Sequence, residues 1–269
     1  MFLIVGNGSL GNAFYECFLD EFEGNQIDLM SSRELEELSQ NQLQELIKNY
    51  KLILWCARDA GTPTSTIRSD SLWNRVQFTL LAIRWSGKFI FTSSAGSIYG
   101  NDTDFPSREN SRLNPVDQYG ELKRVHELQL IQNSRTVGFQ FLILRIGNIF
   151  TLNERQPGII GAILRSIQNQ ESFNLQWGHQ TRDFIFLEEV AQMSFQLILK
   201  NLTGIFNVAS GISYSMFDVI KKFERYFRKD CKYILINEAP IIRKSEISIL
   251  KILNAGITKP RNLDQILLG

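Results

Sequence analysis

Cysteine is scarce. Cys17, Cys56 and Cys231 are odd in number and widely spaced, which fits neither a disulfide framework nor a zinc ligand set. No metal is expected, and a reducing, cytoplasmic compartment is. An excess of charge of one sign is missing as well: Lys plus Arg number 29 against 28 Asp plus Glu. No overall field therefore draws the chain to nucleic acid or to a membrane surface, and neither is an expected partner. Long apolar runs are absent too. The opening Met1-Phe-Leu-Ile-Val reaches Gly6 after a few residues, too short for a signal peptide's apolar region or a membrane span. There is no internal repeat and no low-complexity tract. What remains is a chain of 269 residues, 43% hydrophobic, long enough for one large domain or a cofactor domain with a smaller lobe.

What is present is an alternation. Apolar, partly β-branched runs at Phe2–Val5, Ile27–Met30, Leu52–Cys56, Phe89–Thr92 and Phe141–Ile146 read as strands. Between them, Leu10–Phe22, Ser32–Asn49, Ser69–Trp85 and Tyr119–Ser134 carry helical spacing. Strand and helix in turn predict an α/β fold, a Rossmann-type doubly wound parallel sheet. After about Phe150 the rhythm loosens around Pro157-Gly158, Gly161, Gly178, Gly204 and Gly211. The expected organisation is a dinucleotide-binding domain over 1–150 and a smaller C-terminal α/β substrate lobe over 151–269, with some segments returning to the first domain.

Gly6-Asn7-Gly8-Ser9-Leu10-Gly11 fits G-x-G-x-x-G at the exit of the first strand and opens a helix. Glycines there allow a tight turn and close approach of backbone to a pyrophosphate, which the helix N-terminus stabilises. All six residues are candidate cofactor contacts. The second strand ends in Ser31-Ser32-Arg33, and Asp28 lies too early to close it with a carboxylate for a ribose 2′-hydroxyl. Hydroxyls and a cation at that turn tilt the expectation to NADP(H), with NAD(H) the alternative. The competing role for Ser32 is to cap the next helix.

Tyr119 and Lys123 are four apart at the start of a helical pattern, hence on one face. An ammonium beside a phenol favours the phenolate, so Tyr119 is a candidate proton carrier to a substrate oxygen. Upstream, Phe89-Ile-Phe-Thr-Ser-Ser-Ala-Gly-Ser-Ile-Tyr-Gly100 is a buried-type strand ending in hydroxyls, where an open α/β sheet presents its ligand crevice. Ser93, Ser94 and Ser97 are the candidates there.

In this order, a G-x-G-x-x-G loop, a strand end running from Ser-Ser to Tyr-Gly, and Y-x-x-x-K, the sequence resembles the extended short-chain dehydrogenase/reductases, the NAD-dependent epimerase/dehydratase group. Glu109 and Pro115 match the family's approach to its catalytic helix. Arg145-Ile-Gly-Asn148 resembles its R-x-x-N strand, Arg182-Asp-Phe its R-D-F segment, and Gly204 to Gly211 the strand that follows. The resemblance implies that Tyr119 is the acid/base, that Lys123 tunes it and holds the nicotinamide ribose, and that a serine polarises the reacting oxygen. Counting forward from the strand selects Ser94. Counting back from Tyr99-Gly100 lands on Ala95, because the loop carries one extra residue, so Ser97 is kept in reserve. Ala57, past the third strand, joins the cofactor set. Asn148 and Arg182 fall where the family contacts the substrate's nucleotide and diphosphate, and His179 reads as a loop residue near the substrate. A nucleotide-linked sugar is the implied substrate, and a homodimer through the helices at Ser69–Trp85 and Tyr119–Ser134 is implied as well. Two departures stand out: the glycine loop is one residue shorter than the common G-x-x-G-x-x-G, and the chain is compact for the family.

The same resemblance narrows the reaction. Members that dehydrate place an Asp-Glu pair after the catalytic hydroxyl, because eliminating water needs an extra acid and base. Here Ala95-Gly96 follow Ser94, so dehydration is not expected. Two reactions are left: reduction of a keto-sugar with Tyr119 as proton donor, favoured if the Ser-Ser-Arg turn means NADP, and a 4-epimerisation that lends a hydride and takes it back. A non-catalytic dinucleotide-binding regulator on the same fold is the alternative from another class, and the retained Tyr119 and Lys123 weigh against it.

Overall fold

The computed structural model describes residues 1–19, 26–57, 70–101 and 105–268. Its first strand, β1 (Phe2–Val5), is buried at every position, as a strand covered on both faces of a parallel sheet must be. The alternation continues through α1 (Ser9–Leu19), β2 (Ile27–Met30), α2 (Ser32–Glu36), α3 (Gln40–Lys48), β3 (Leu52–Trp55), α4 (Asp70–Ala82), β4 (Lys88–Ser94), the single turn α5 (Ala95–Ile98), α6 (Gln118–Val137) and β5 (Gln140–Ile146). Beyond it follow β6 (Asn148–Phe150), α7 (Gly158–Asn169), β7 (Phe173–Gln176), β8 (Thr181–Phe186), α8 (Leu187–Leu199), β9 (Gly204–Val208), β10 (Ser213–Ser215), α9 (Met216–Phe227), β11 (Tyr233–Ile236), α10 (Leu250–Asn254) and α11 (Leu263–Leu268).

The chain forms two compact units. The first comprises Met1–Ser93, Glu121–Arg145 and Ser194–Phe206 and is built on a parallel sheet of order β2-β1-β3-β4-β5-β9. Phe2 stands beside both Ile27 and Leu52, and Leu52 beside Lys88, so the strands start in step and their C-terminal ends lie together. All five apolar runs read from the sequence are strands of this sheet. Alternate residues serve opposite faces. Leu3, Val5, Ile53, Trp55, Phe89 and Phe91 join Leu43 and Ile47 of α3, Trp73 and Leu80 of α4 and Leu130 of α6 in one core. On the other face Phe18 of α1 packs on Phe2 and on Phe195 of α8, at 5.3 and 5.0 Å between ring centroids. The sheet is therefore doubly wound.

One helix is expected over Ser32–Asn49, and two form. Ser39 interrupts the run: its hydroxyl accepts the Gln42 amide while the Gln42 side chain accepts the Ser39 amide, a reciprocal cap that starts α3 afresh. The expected ends at Phe22 and Ser69 lie outside the described residues. On α6, His126 lies buried and flat against Trp73, 4.4 Å between ring centroids.

The second unit, Ser94–Gly120, Ile146–Met193 and Asn207–Gly269, holds a three-stranded sheet of order β10-β8-β6 and a two-stranded parallel sheet of β11 and β7. Met216, Val219, Ile220 and Phe223 make the buried face of α9, and they pack with Ile163 and Leu164 of α7, Phe150, Phe184 and Leu263. Cys17, Cys56 and Cys231 form no disulfide. Among the described residues no helix is long and apolar enough to cross a membrane, and no cluster of metal-ligating side chains forms.

Candidate active site

The loop between β1 and α1 divides its three glycines by the space around them. Gly6 has φ +108°, and a Cβ there would fall 2.6 Å from the Ala57 nitrogen. A Cβ on Gly11 would sit 1.7 Å from the Gly6 carbonyl, so this glycine lets α1 press against the turn. Gly8 has nothing within 4 Å of its Cβ position. Its carbonyl accepts the Asn12 amide at 3.0 Å, the first helical bond, and the Asn12 side chain ties down Asn7 O at 2.7 Å and Gly8 O at 3.0 Å. Asn7, Gly8 and Ser9 are exposed, Leu10 half-buried. A braced, open loop at the N-terminus of an eleven-residue helix is a cradle that fits a pyrophosphate. The sequence reading does not single out Asn12; its position in the first turn of α1 is the only local signal.

The turn after β2 is organised for capping. Ser31, not Ser32, is the N-cap of α2: its amide and hydroxyl both donate to the Glu34 carboxylate at 2.7 Å, and these bonds hold that carboxyl below its usual range. Ser32 is the first helical residue, and Arg33, largely exposed, pairs with Glu37 at 3.3 Å. Asp28 accepts the Tyr50 hydroxyl at 2.7 Å. Burial, then the bond to Asp28, keeps that phenol protonated well above its ordinary range.

Helix α6 carries Tyr119 in its first turn, 41% exposed, and Lys123 one turn on, buried. The Lys123 ammonium donates to Thr92 O at 3.1 Å and stands 4.8 Å from the Phe91 ring centroid. Ser93 is buried with its hydroxyl unpartnered among the described residues. Ser94 ends β4 as the N-cap of α5, and its hydroxyl is not used in the cap. Ser97 follows in α5. Its carbonyl lies 2.7 Å from where a Cβ on Gly120 would be, so the first turn of α6 rests directly on the serine turn, next to Tyr119. Asn148 lies against the same turn: its side-chain amide is 3.2 Å from the Cβ position of Gly96 and donates to Asp183 O at 3.3 Å.

Ser94, Ser97, Tyr119 and Asn148 are thus brought together around α5. Arg182 sits on β8, its guanidinium donating to Thr181 O and Ile242 O at 2.8 Å each, and burial lowers its pKa to about 10. His179 is exposed and packs instead with Trp177 and Phe217, 5.7 and 5.0 Å between centroids. Next to Ile242, an open cavity is lined by Asn101, Pro240, Ile241, Arg243 and Lys244. Sequence reasoning passes over these two cations because no local pattern marks them. It also passes over Asn207, fully buried, which accepts the Tyr99 hydroxyl at 2.7 Å, donates to Ser107 O and Ser248 O, and offers its backbone amide to Glu109.

Residues 6–209 match the NAD dependent epimerase/dehydratase family. The chain belongs to that family. Among curated relatives of this epimerase/dehydratase member, a putative UDP-glucose 4-epimerase of Methanocaldococcus jannaschii is 31% identical over 163 residues, 58% of this chain and 53% of the relative. A dTDP-4-dehydro-6-deoxyglucose reductase of Escherichia coli is 28% identical over 173 residues, 62% of this chain and 54% of the relative. The chain spans about half the length of the curated relatives it matches. The crystal structure of Thermus thermophilus UDP-glucose 4-epimerase in complex with NAD superposes with a TM-score of 0.84 at 18% identity, covering 99% of this chain and 96% of that one. At that identity the likeness is one of fold.

Proposed function

We propose that this chain transfers a hydride between NAD and a carbon of a nucleotide-linked sugar, with Tyr119 exchanging the hydroxyl proton of that carbon. The observation that carries the reading is the packing of Gly120 on Ser97, by which the first turn of α6, where Tyr119 lies, rests on the turn that holds Ser97 and begins at Ser94. In this reading the Ser94 hydroxyl hydrogen-bonds the reacting oxygen while Tyr119 takes or returns its proton, and the buried Lys123 ammonium biases that exchange by its charge. When bound, the dinucleotide supplies or accepts the hydride. Gly8 and the amides that open α1 hold its pyrophosphate, with Gly6, Asn7, Ser9, Leu10 and Gly11 shaping the loop and Ala57 backing Gly6. Arg243 and Lys244 suit the diphosphate of the sugar nucleotide, with Arg182 holding the segment that presents them through Ile242 O.

For the cofactor we propose NAD(H) over the NADP(H) that the Ser-Ser-Arg turn suggests. Ser31 is spent on its cap, Arg33 is paired, and the Glu34 carboxylate at the turn opposes a 2′-phosphate. Calorimetric titration is expected to show NAD binding several-fold more tightly than NADP, with Glu34→Gln narrowing the gap. Equal affinities in the wild type would discard this assignment.

With NAD as the proposed cofactor, the first reading is 4-epimerisation, which regenerates its cofactor in place. Stoichiometric keto-sugar reduction is the second reading, favoured by the match to the Escherichia coli reductase. Incubation with UDP- and dTDP-sugars and chromatography of the products separates them. A C4 epimer without net cofactor change marks the epimerase, and consumption of NADH marks the reductase. No product under either regime would overturn the proposal.

A homodimer through α4 and α6 is part of the proposal. The two helices lie side by side, joined by Trp73 to Gln129 and Asn133 to Gln77 hydrogen bonds, and leave Phe78, Val125 and Leu128 exposed. Phe78→Glu is expected to convert a dimer to a monomer in sedimentation equilibrium, whereas a monomeric wild type would refute the assembly.

A further inference from the structure

Asp183 lies in the middle of the three-stranded sheet, fully buried, and among the described residues no cation stands within ion-pair distance of it. Its carboxylate is instead held by three donors from the turn after β9: Ser210 N at 2.8 Å, the Ser210 hydroxyl at 2.7 Å and Gly211 N at 2.9 Å. A buried charge without a counter-charge is costly, and a neutral side chain would be the cheaper way to fill the space. What only a carboxylate offers here is acceptors on both oxygens, enough to bind three donors at once.

The backbone of the same residue points the other way along the unit. Asp183 O accepts the Asn148 side chain and lies 3.2 Å from where a Cβ on Gly147 would be. Asn148 in turn lies 3.2 Å from the Cβ position of Gly96, and Ser97 O lies 2.7 Å from that of Gly120. Three glycines, 147, 96 and 120, mark three contacts with no slack between Asp183 and the first turn of α6. Packed without voids, such contacts pass a displacement on rather than absorb it.

We propose that Asp183 is a positioning residue for the reaction: its ionised carboxylate fixes β8, and through Asn148 and Gly96 it fixes the turn that sets Ser94 and Ser97 against Tyr119. The inference rests on the function proposed above and assigns that site a buried determinant outside it.

Protonation of Asp183 follows from its surroundings. Burial raises the carboxyl to about 6 against the pull of its bonds to Ser210 and Gly211. Ser213 of β10 is the cross-strand partner of Asp183; the nearby Tyr214 phenol is held protonated first by its own burial; Arg182, next on the same strand as Asp183, is engaged with carbonyls; Asn148 of β6 binds the backbone carbonyl; and Asp264 of α11, beside Tyr214, is paired with Lys222. Below about pH 6 the carboxyl gains a proton, loses an acceptor against its three donors, and the turn loosens. The folded-state value is raised above the ordinary 3.8, so this group's contribution to folding stability grows as pH falls from 6 towards 4 and is lost as pH rises through 6. Activity and this contribution to stability therefore move in opposite directions, and loss of activity through this group in acid is not unfolding.

The test uses NAD and the best turned over of UDP-glucose, UDP-N-acetylglucosamine and UDP-glucuronic acid, with kcat and KM measured from pH 5 to 9 beside thermal unfolding. Asp183→Asn is expected to lower kcat by about 10- to 100-fold, the scale of a small misplacement at the reacting centre, to leave NAD affinity unchanged, and to abolish an acid limb centred near pH 6. Ser210→Ala, milder and a safeguard should the first variant fold poorly, removes a donor to the ionised form and is expected to move the acid limb to higher pH. A wild type active on one of these sugars whose acid limb stays in place in Ser210→Ala would overturn the inference alone. A wild type that binds no NAD and turns over none of the sugars overturns the functional reading and this inference with it.

Discussion

Replacing Tyr119 by Phe is expected to lower turnover by about 10²- to 10⁴-fold, the usual worth of a positioned proton carrier, while leaving NAD affinity and thermal stability near those of the wild type. The change removes one oxygen from a side chain that is 41% exposed, so little packing is at stake. Lys123 keeps its bond to Thr92 O and its place over Phe91, and the glycine loop is untouched. A catalyst and a dinucleotide-binding regulator part company at this variant. The regulator would lose nothing, and wild-type turnover in Tyr119→Phe would sink the assignment of the phenol.

The second large effect is a contrast between two alanines in one loop. Gly11→Ala puts a methyl group 1.7 Å from the Gly6 carbonyl, and α1 can admit it only by leaving the turn. Overpacking of this kind typically costs about 1–3 kcal/mol, so a clear fall in melting temperature is expected, with cofactor binding lost alongside. Gly8→Ala meets nothing within 4 Å. It should fold and melt like the wild type, yet its methyl group projects from the open cradle where the backbone must come close to a pyrophosphate. Calorimetry with NAD should show binding reduced by an order of magnitude or more, about 1.4 kcal/mol per decade. Wild-type affinity in Gly8→Ala would mean that the dinucleotide does not lie on this loop.

The parts of this molecule that are legible in the sequence are those set by near neighbours along the chain. Phe2–Val5 into Gly6 could only be a buried strand meeting a tight turn, and the spacing of Tyr119 and Lys123 fixes them to one helix face. Where two local readings compete, the sequence does not choose. Ser31 rather than Ser32 is the cap because Glu34 stands three residues after it. Ser39 gives the same kind of signal with Gln42 inside a run whose Glu, Gln and Leu content suggests one continuous helix. The buried polar centres are illegible for a different reason. Asn207 meets Tyr99 across 108 positions, and Asp183 meets Ser210 across 27, and no periodicity encodes partners that far apart. Arg182 and Asn148 are visible as residues, but their engagement with backbone carbonyls depends on where β6, β8 and the 239–245 segment run.

The two units exchange the chain five times, at 93/94, 120/121, 145/146, 193/194 and 206/207. Every exchange falls inside a regular element, in β4, α6, β5, α8 and β9. Neither unit is therefore one contiguous stretch that could be cloned, swapped or shuffled as a cassette. A lineage with this plan cannot change by trading one contiguous half for another. It has to change side chains and loop lengths one at a time, under a backbone shared by both halves.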